Sequence, residues 1–114
     1  MKTILTALFL AGAACAWAQS DELYVSKNVF TPGTDTVDIQ VTAPNFPNTV
    51  SLRIYNSVGE LVRILEHIDT IGAFTQSYSW DGKNVNGDKV ASGVYLILFK
   101  DNQSLHTARI LAVQ

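Results

Sequence analysis

The chain has 114 residues, 47% of them hydrophobic and 16% charged, with 8 Lys and Arg against 10 Asp and Glu. A net charge of −2 does not suggest a nucleic-acid ligand, whose phosphates call for a basic patch. A single cysteine excludes an internal disulfide, and the length suits one domain rather than two.

The first eighteen residues have the pattern of a signal peptide. Lys2 provides a positive n-region, residues 4–14 form an apolar stretch broken by Thr6 and Gly12, and Ala16-Trp17-Ala18 places small residues at −3 and −1 of a cleavage site. Cleavage after Ala18 leaves residues 19–114 as one mature domain beginning at Gln19, and loss of Lys2 takes its net charge to −3. The apolar stretch is shorter than the ~20 residues of a bilayer span, and no later segment approaches that length. An exported protein of the periplasm, outer surface or extracellular space is expected, with no membrane span after signal removal. An alternative makes Cys15 the acylated first residue of a lipoprotein: Ala13 and Ala14 before it are suitably small, but Gly12 occupies the place of a large aliphatic residue. With Cys15 removed, the domain has no thiol, and packing alone must hold it together.

In chain order, residues 23–30 predict a first edge strand ended by Thr31-Pro32-Gly33. Val37, Ile39 and Val41 alternate with Asp38, Gln40 and Thr42, a second strand with one wet face. Pro44 and Pro47 interrupt, because neither can donate to a ladder; Val50, Leu52 and Ile54 then resume the alternation against Ser51, Arg53 and Tyr55. Asn56 to Gly59 is a turn. Residues 60–68 predict a fourth strand, although Leu61, Ile64, Leu65 and Ile68 also fit a helical stripe; the β-rich flanks favour the strand. In 74–80, Phe74, Tyr78 and Trp80 share one face while Thr75, Ser77 and Ser79 share the other. Asn86-Gly87 supplies the positive φ angles of a tight turn. Gly93 then precedes the continuous apolar run 94–99, where a missing side chain would admit another strand and the run would be covered on both faces. Residues 93–101 and 105–113 complete seven strands, the pattern of an all-β antiparallel sandwich.

Taken in order and spacing, the run VSLRIYNSVGELVR at 50–63, Trp80-Asp81-Gly82, Asn86-Gly87, Ser92-Gly93-Val94-Tyr95 and Arg109-Ile110-Leu111 resembles the immunoglobulin-like domain of the flagellar hook-assembly (FlgD-type) family. The resemblance covers nearly all of residues 24–113, and Asn28 to Pro32 resembles the opening strand of such modules. It implies a seven-stranded antiparallel immunoglobulin-like β-sandwich without enzymatic activity, with Gly59, Trp80, Asp81, Gly82, Asn86, Gly87, Gly93 and Tyr95 as structural signature. Where these modules often continue Asn-Gly-Asp, this chain has Gly33-Thr34-Asp35, which removes support for a metal role in that loop. A flagellar role is not expected, since a domain attached directly to a cleavable export segment lacks the rest of a hook-assembly protein.

No residue set points to chemistry. His67 and His106 fall in separate strands without HxH or HExxH spacing, so strand-face positions explain them better than ligation or base catalysis. The 81–88 loop superficially resembles a calcium loop. Aligning Gly87 with the EF-hand glycine puts Gly82 at the first carboxylate position, and starting from Asp81 puts Lys83 and Val85 at ligand positions, so turn capping is the better account. Ser57 and Ser92 lack a nucleophile motif. Glu60 and Glu66 would share one strand face about 20 Å apart, beyond the separations used in glycoside hydrolysis. Catalytic, cofactor and metal residues are therefore assigned to none. Lys27, Arg53, Arg63, Lys83, Lys89, Lys100 and Arg109 are scattered in sequence and assigned to solvated surface.

Three functions from different classes remain. The first is an exported interaction or structural module of the bacterial envelope, acting through sheet edges or loops on an envelope or secreted protein. The second is a sorting or anchoring domain, because C-terminal domains of type IX secretion look similar in Gly59 and Ser92-Gly93-Val94-Tyr95. The third is a carbohydrate-binding module using Tyr55, Tyr78, Trp80, Tyr95 and Phe99 as a stacking platform, against which core packing is the ordinary explanation of large aromatics. Oligomeric state is not encoded in any of these patterns.

Overall fold

A period of two runs through nearly every strand of the computed structural model, which describes residues 22–44, 49–69, 72–102 and 104–114. The expected leader 1–18 with Cys15, Ala16 and Ala18, and the 45–48 part of the proline interruption, lie outside the described residues. Eight strands form among them: β1 (Glu22–Val25), β2 (Val29–Phe30), β3 (Val37–Ala43), β4 (Thr49–Asn56), β5 (Leu61–Asp69), β6 (Phe74–Trp80), β7 (Gly93–Asp101) and β8 (Leu105–Ala112). They make a five-stranded sheet in the order β2-β8-β7-β4-β5 and a three-stranded sheet in the order β1-β3-β6. One core joins the layers: Val37, Ile39 and Val41 with Phe74 and Trp80 from the smaller sheet meet Leu52, Ile54, Ile97, Phe99 and Ile110 from the larger. Each such side chain contributes about 1.5–3 kcal/mol when fully buried, and the alternation that selects them is the one read in the sequence.

The expected single edge strand over 23–30 is two strands in different sheets. β1 pairs antiparallel with β3, and β2 pairs parallel with β8. Ser26 holds the corner, its N–H donating to the Asp38 carbonyl at 2.8 Å and its Oγ accepting from the Asp38 N–H at 2.9 Å. Crossing between layers is what lets Phe30 enter the core, where it is 2% exposed. The count is therefore eight rather than seven, and one strand pair is parallel.

β5 resolves the competing helical stripe. Leu52 pairs with Glu66 but Arg53 with Ile64, and Ile54 pairs with Arg63 but Tyr55 with Leu61, so Leu65 and Val62 are extra residues at two β-bulges. The bulges break the period of two, letting Val62, Leu65 and Ile68 pack on the core while Leu61 and Ile64 stay exposed. They also separate the two glutamates expected to share a face: Glu60 precedes the strand and accepts from Asn56 Nδ2 at 2.8 Å, whereas Glu66 turns toward Tyr78.

β7 departs from expectation as well. Tyr95, Ile97 and Phe99 are buried, but Val94 is 41% exposed and Leu96 and Leu98 are only half-buried, so the apolar run is covered on one face. A Cβ on Gly93 would meet nothing within 4 Å. Its φ of 154°, not a close approach, is what suits glycine there.

Candidate functional site

Most of the expected signature assembles at one end of the layers. The fully buried Trp80 ring lies 5.2 Å from Phe30 and 5.8 Å from Tyr95, the latter edge-on, and its Nε1–H donates to the Lys83 carbonyl at 2.9 Å. Tyr95 packs its ring there and donates its hydroxyl to the Ala91 carbonyl at 2.6 Å, fastening the 81–92 loop to the start of β7. Burial raises the pKa of that phenol. Gly82 has φ 79°, and a Cβ on it would stand 2.6 Å from Pro32 Cβ and 2.9 Å from Phe30 Cε2. Only a hydrogen fits there, which lets the 81–92 loop close against the β2–β3 turn.

The polar members of the signature cap backbone. Asp81 Oδ1 accepts from the Lys83 N–H at 3.0 Å and from Arg63 Nη1 at 3.2 Å. Asn84 Oδ1 accepts from the N–H groups of Asn86 and Asp88 at 2.9 and 3.1 Å, and Gly87, at φ 86°, donates to the Asn84 carbonyl. Gly59 makes the β4–β5 turn at φ 88°, beside Asn56, whose Oδ1 accepts from Val58 and Glu60. Ser92 Oγ accepts from the Gln114 N–H at 3.0 Å. Ser57 lies in the exposed turn of Gly59.

The remaining candidates are dispersed. His67 is on the outer face of β5 and His106 on the inner face of β8, stacked on Phe99 at 6.4 Å, with β4 and β7 between the two strands. The five aromatics of the stacking platform do not assemble: Trp80, Tyr95 and Phe99 are core residues, Tyr55 faces outward from β4, and Tyr78 is half-buried on β6. The Tyr78 hydroxyl donates to Glu66 Oε2 at 2.9 Å, which ties the edge strand of one sheet to the edge strand of the other. Burial, then the hydrogen bond and the negative charge of Glu66, push this phenol far above its ordinary pKa.

What the linear pattern did not reveal is the contrast between the two outer faces. On the three-stranded sheet, register sets Asp38 beside Ser79, Gln40 beside Ser77 and Thr42 beside Thr75, an entirely polar surface over those positions. On the five-stranded sheet, Leu111 sits between Val29 and Val94, and Leu96 between Arg109 and Tyr55. Leu98 sits between Thr107 and Arg53, and Lys100 between Leu105 and Ser51, with His67 beyond Ser51. A depression of about 330 Å³ opens on this face beside Arg53, Tyr55, His67, Leu98 and Lys100, and the buried Arg53 Nε has no hydrogen-bond partner. A second, polar depression of about 420 Å³ lies between the β4–β5 turn and the 84–91 loop.

Comparison with known proteins bears on the fold. PorZ, an essential surface component of the type IX secretion system of Porphyromonas gingivalis, is 25% identical with a TM-score of 0.54; the match covers 81% of this chain and 11% of PorZ. FlgD from P. aeruginosa is 19% identical with a TM-score of 0.52, covering 76% of this chain and 68% of that one. The DNA glycosylase AlkC of Pseudomonas fluorescens is similar in fold alone, at 11% identity and a TM-score of 0.50 over 82% of this chain and 29% of AlkC. No curated protein matches the sequence. The model of the FlgD Ig-like domain matches residues 26–103, a span that holds the Trp80 cluster and its glycine turns, and the chain belongs to that family.

Proposed function

We propose that residues 19–114 are an exported, non-enzymatic immunoglobulin-like module that binds another protein at the bacterial envelope or outside the cell. One observation carries this: the side chains at the signature end pack or cap backbone, so the outer surfaces of the sheets are what the domain has to offer. Strand order supports the immunoglobulin-like assignment. The central β8-β7-β4 of the larger sheet corresponds to the G-F-C order of immunoglobulin sheets, and β3 and β6 lie in the opposite layer as B and E do. Export rests on the cleavable pattern ending at Ala18, and the likeness to a bacterial surface protein agrees with it. No helix among the described residues is long and apolar enough to cross a membrane.

The PorZ likeness favours a second function, a sorting or anchoring domain of a type IX-like system. Two measurements separate them. Chemical cross-linking of the tagged full chain in its native envelope, followed by mass spectrometry, should recover a protein partner; absence of any adduct contradicts the binding role. A passenger fused ahead of residues 19–114 should stay where an unfused passenger stays, whereas its delivery to the cell surface would establish sorting instead.

A further inference from the structure

We propose that the outer face of the five-stranded sheet is the docking surface, and that its occupant is a protein segment carrying carboxylates among large apolar side chains. This rests on the protein-binding role above and adds where on the molecule it is exercised and what chemistry it selects. Leu61, Ile64, Leu105, Leu111, Val94 and Val29 are each between 40% and 55% exposed, and the register places all six on this one face. They form two apolar margins, Val29, Leu111 and Val94 on one side and Leu61 with Ile64 on the other, and exposed apolar groups gathered on one face and rimmed by polar residues mark interaction sites. The opposite sheet differs: the outer positions of β3 and β6 are hydroxyls, amides and a carboxylate, and among the described residues its one large exposed apolar group is the Tyr24 ring on β1.

Charge selects the partner. Of the seven Lys and Arg after residue 18, Arg53, Lys100 and Arg109 stand on this face, so cations that are scattered in sequence are gathered by the register. Among the described residues, the one carboxylate on it is Asp69, at the end of β5 opposite Thr49. Asp101 borders the depression, but it is 5% exposed and its Oδ1 accepts from the Ser104 N–H at 2.7 Å. A cationic and aliphatic face on a molecule of net negative charge is complementary to an acidic, apolar partner. A second copy of the same face would bring like charges together, which argues against symmetric self-pairing. The recess at Arg53 favours an inserted carboxylate side chain over a flat lipid headgroup layer, because Arg53 lines the depression and its buried Nε has no hydrogen-bond partner.

The test places a photo-cross-linking amino acid in the full chain at Leu105 or Ile64, on this face, and at Ser77, on the opposite one, and irradiates the native envelope. Adducts are expected from Leu105 and Ile64 and not from Ser77, with the cross-linked peptide of the partner holding Asp or Glu next to Leu, Ile or Phe. Lys100→Glu combined with Arg109→Glu should lower adduct yield about tenfold, since reversing rim charges turns steering into repulsion; Lys100→Arg with Arg109→Lys should retain it. Both pairs are exposed, and equal melting temperatures will show that the fold is intact. Adducts from Ser77 alone, a cross-linked peptide without carboxylates, or indifference to charge reversal overturn this surface while leaving the binding role standing. A covalent dimer of the chain overturns it in favour of self-association. Sedimentation with vesicles containing phosphatidylglycerol, lost on charge reversal and without a protein adduct, overturns it in favour of a lipid surface. No adduct from any position removes the binding role itself.

Discussion

Gly82 and Gly87 have nearly the same backbone, φ 79° and 86°, and opposite surroundings. A Cβ on Gly87 meets nothing within 4 Å, so Gly87→Ala should cost only the left-handed strain of about 1–2 kcal/mol. Gly82→Ala adds the collision with Pro32 and Phe30, and overpacking contributes roughly another 1–3 kcal/mol. Urea titration of both variants checks the ordering, and equal losses would contradict the close approach. Trp80→Ala should lose about 3–5 kcal/mol, the usual range for truncating a buried aromatic, whereas a loss below about 1 kcal/mol is typical of surface sites. Trp80 was legible because its strand parity matches Phe74 and Tyr78. The role of Gly82 was not, since the atoms that forbid a side chain there belong to Pro32 and Phe30, far away in sequence. Gly93 shows the reverse case: close approach was expected from the residue type, and the space around it is open.

Among the elements, the two edge strands β5 and β6 are held together across the layers by Tyr78 and Glu66. Tyr78→Phe removes one partly buried hydrogen bond to a carboxylate, a loss of about 1.5–3 kcal/mol at most, reduced because Glu66 is half-exposed and can hydrate. The pH dependence has a definite sign. The phenol titrates near 10 when unfolded and higher when folded, so the native state holds the proton longer. Its contribution is complete below pH ~10 and declines as pH rises above that value, with a slope of up to about 1.4 kcal/mol per pH unit for each such phenol. Chemical denaturation between pH 9 and 11 should show the decline, and Tyr78→Phe should reduce it. What remains in the variant belongs to Tyr95 and to groups unrelated to β6. Six of the expected strands were legible in place, from alternation in most of them, from the β-rich flanks for β5 and from a continuous apolar run for β7. The two departures share one cause: periodicity reports which residues are apolar, and neither the layer change at Ser26 nor the bulges at Val62 and Leu65 alter that count.

For the whole molecule, intact mass of the secreted protein should correspond to a chain starting at Gln19; a mature form starting at acylated Cys15, or one retaining residues 1–18, contradicts cleavage after Ala18. The sandwich and its family were legible from turn words and strand parity, while the cationic, aliphatic outer face was not, because it is made by register between strands distant in sequence. Register also decides how the domain carries force. β2 and β8 run parallel, so residue 28 and residue 113 lie at opposite ends of their contact, where Leu111 N–H donates to the Asn28 carbonyl and Val113 N–H to the Phe30 carbonyl. Tension applied between residues 28 and 113 loads these bonds in shear, and they must yield together instead of unzipping in turn. The small strand that corrects the count is thus the element through which a pull on the chain is borne.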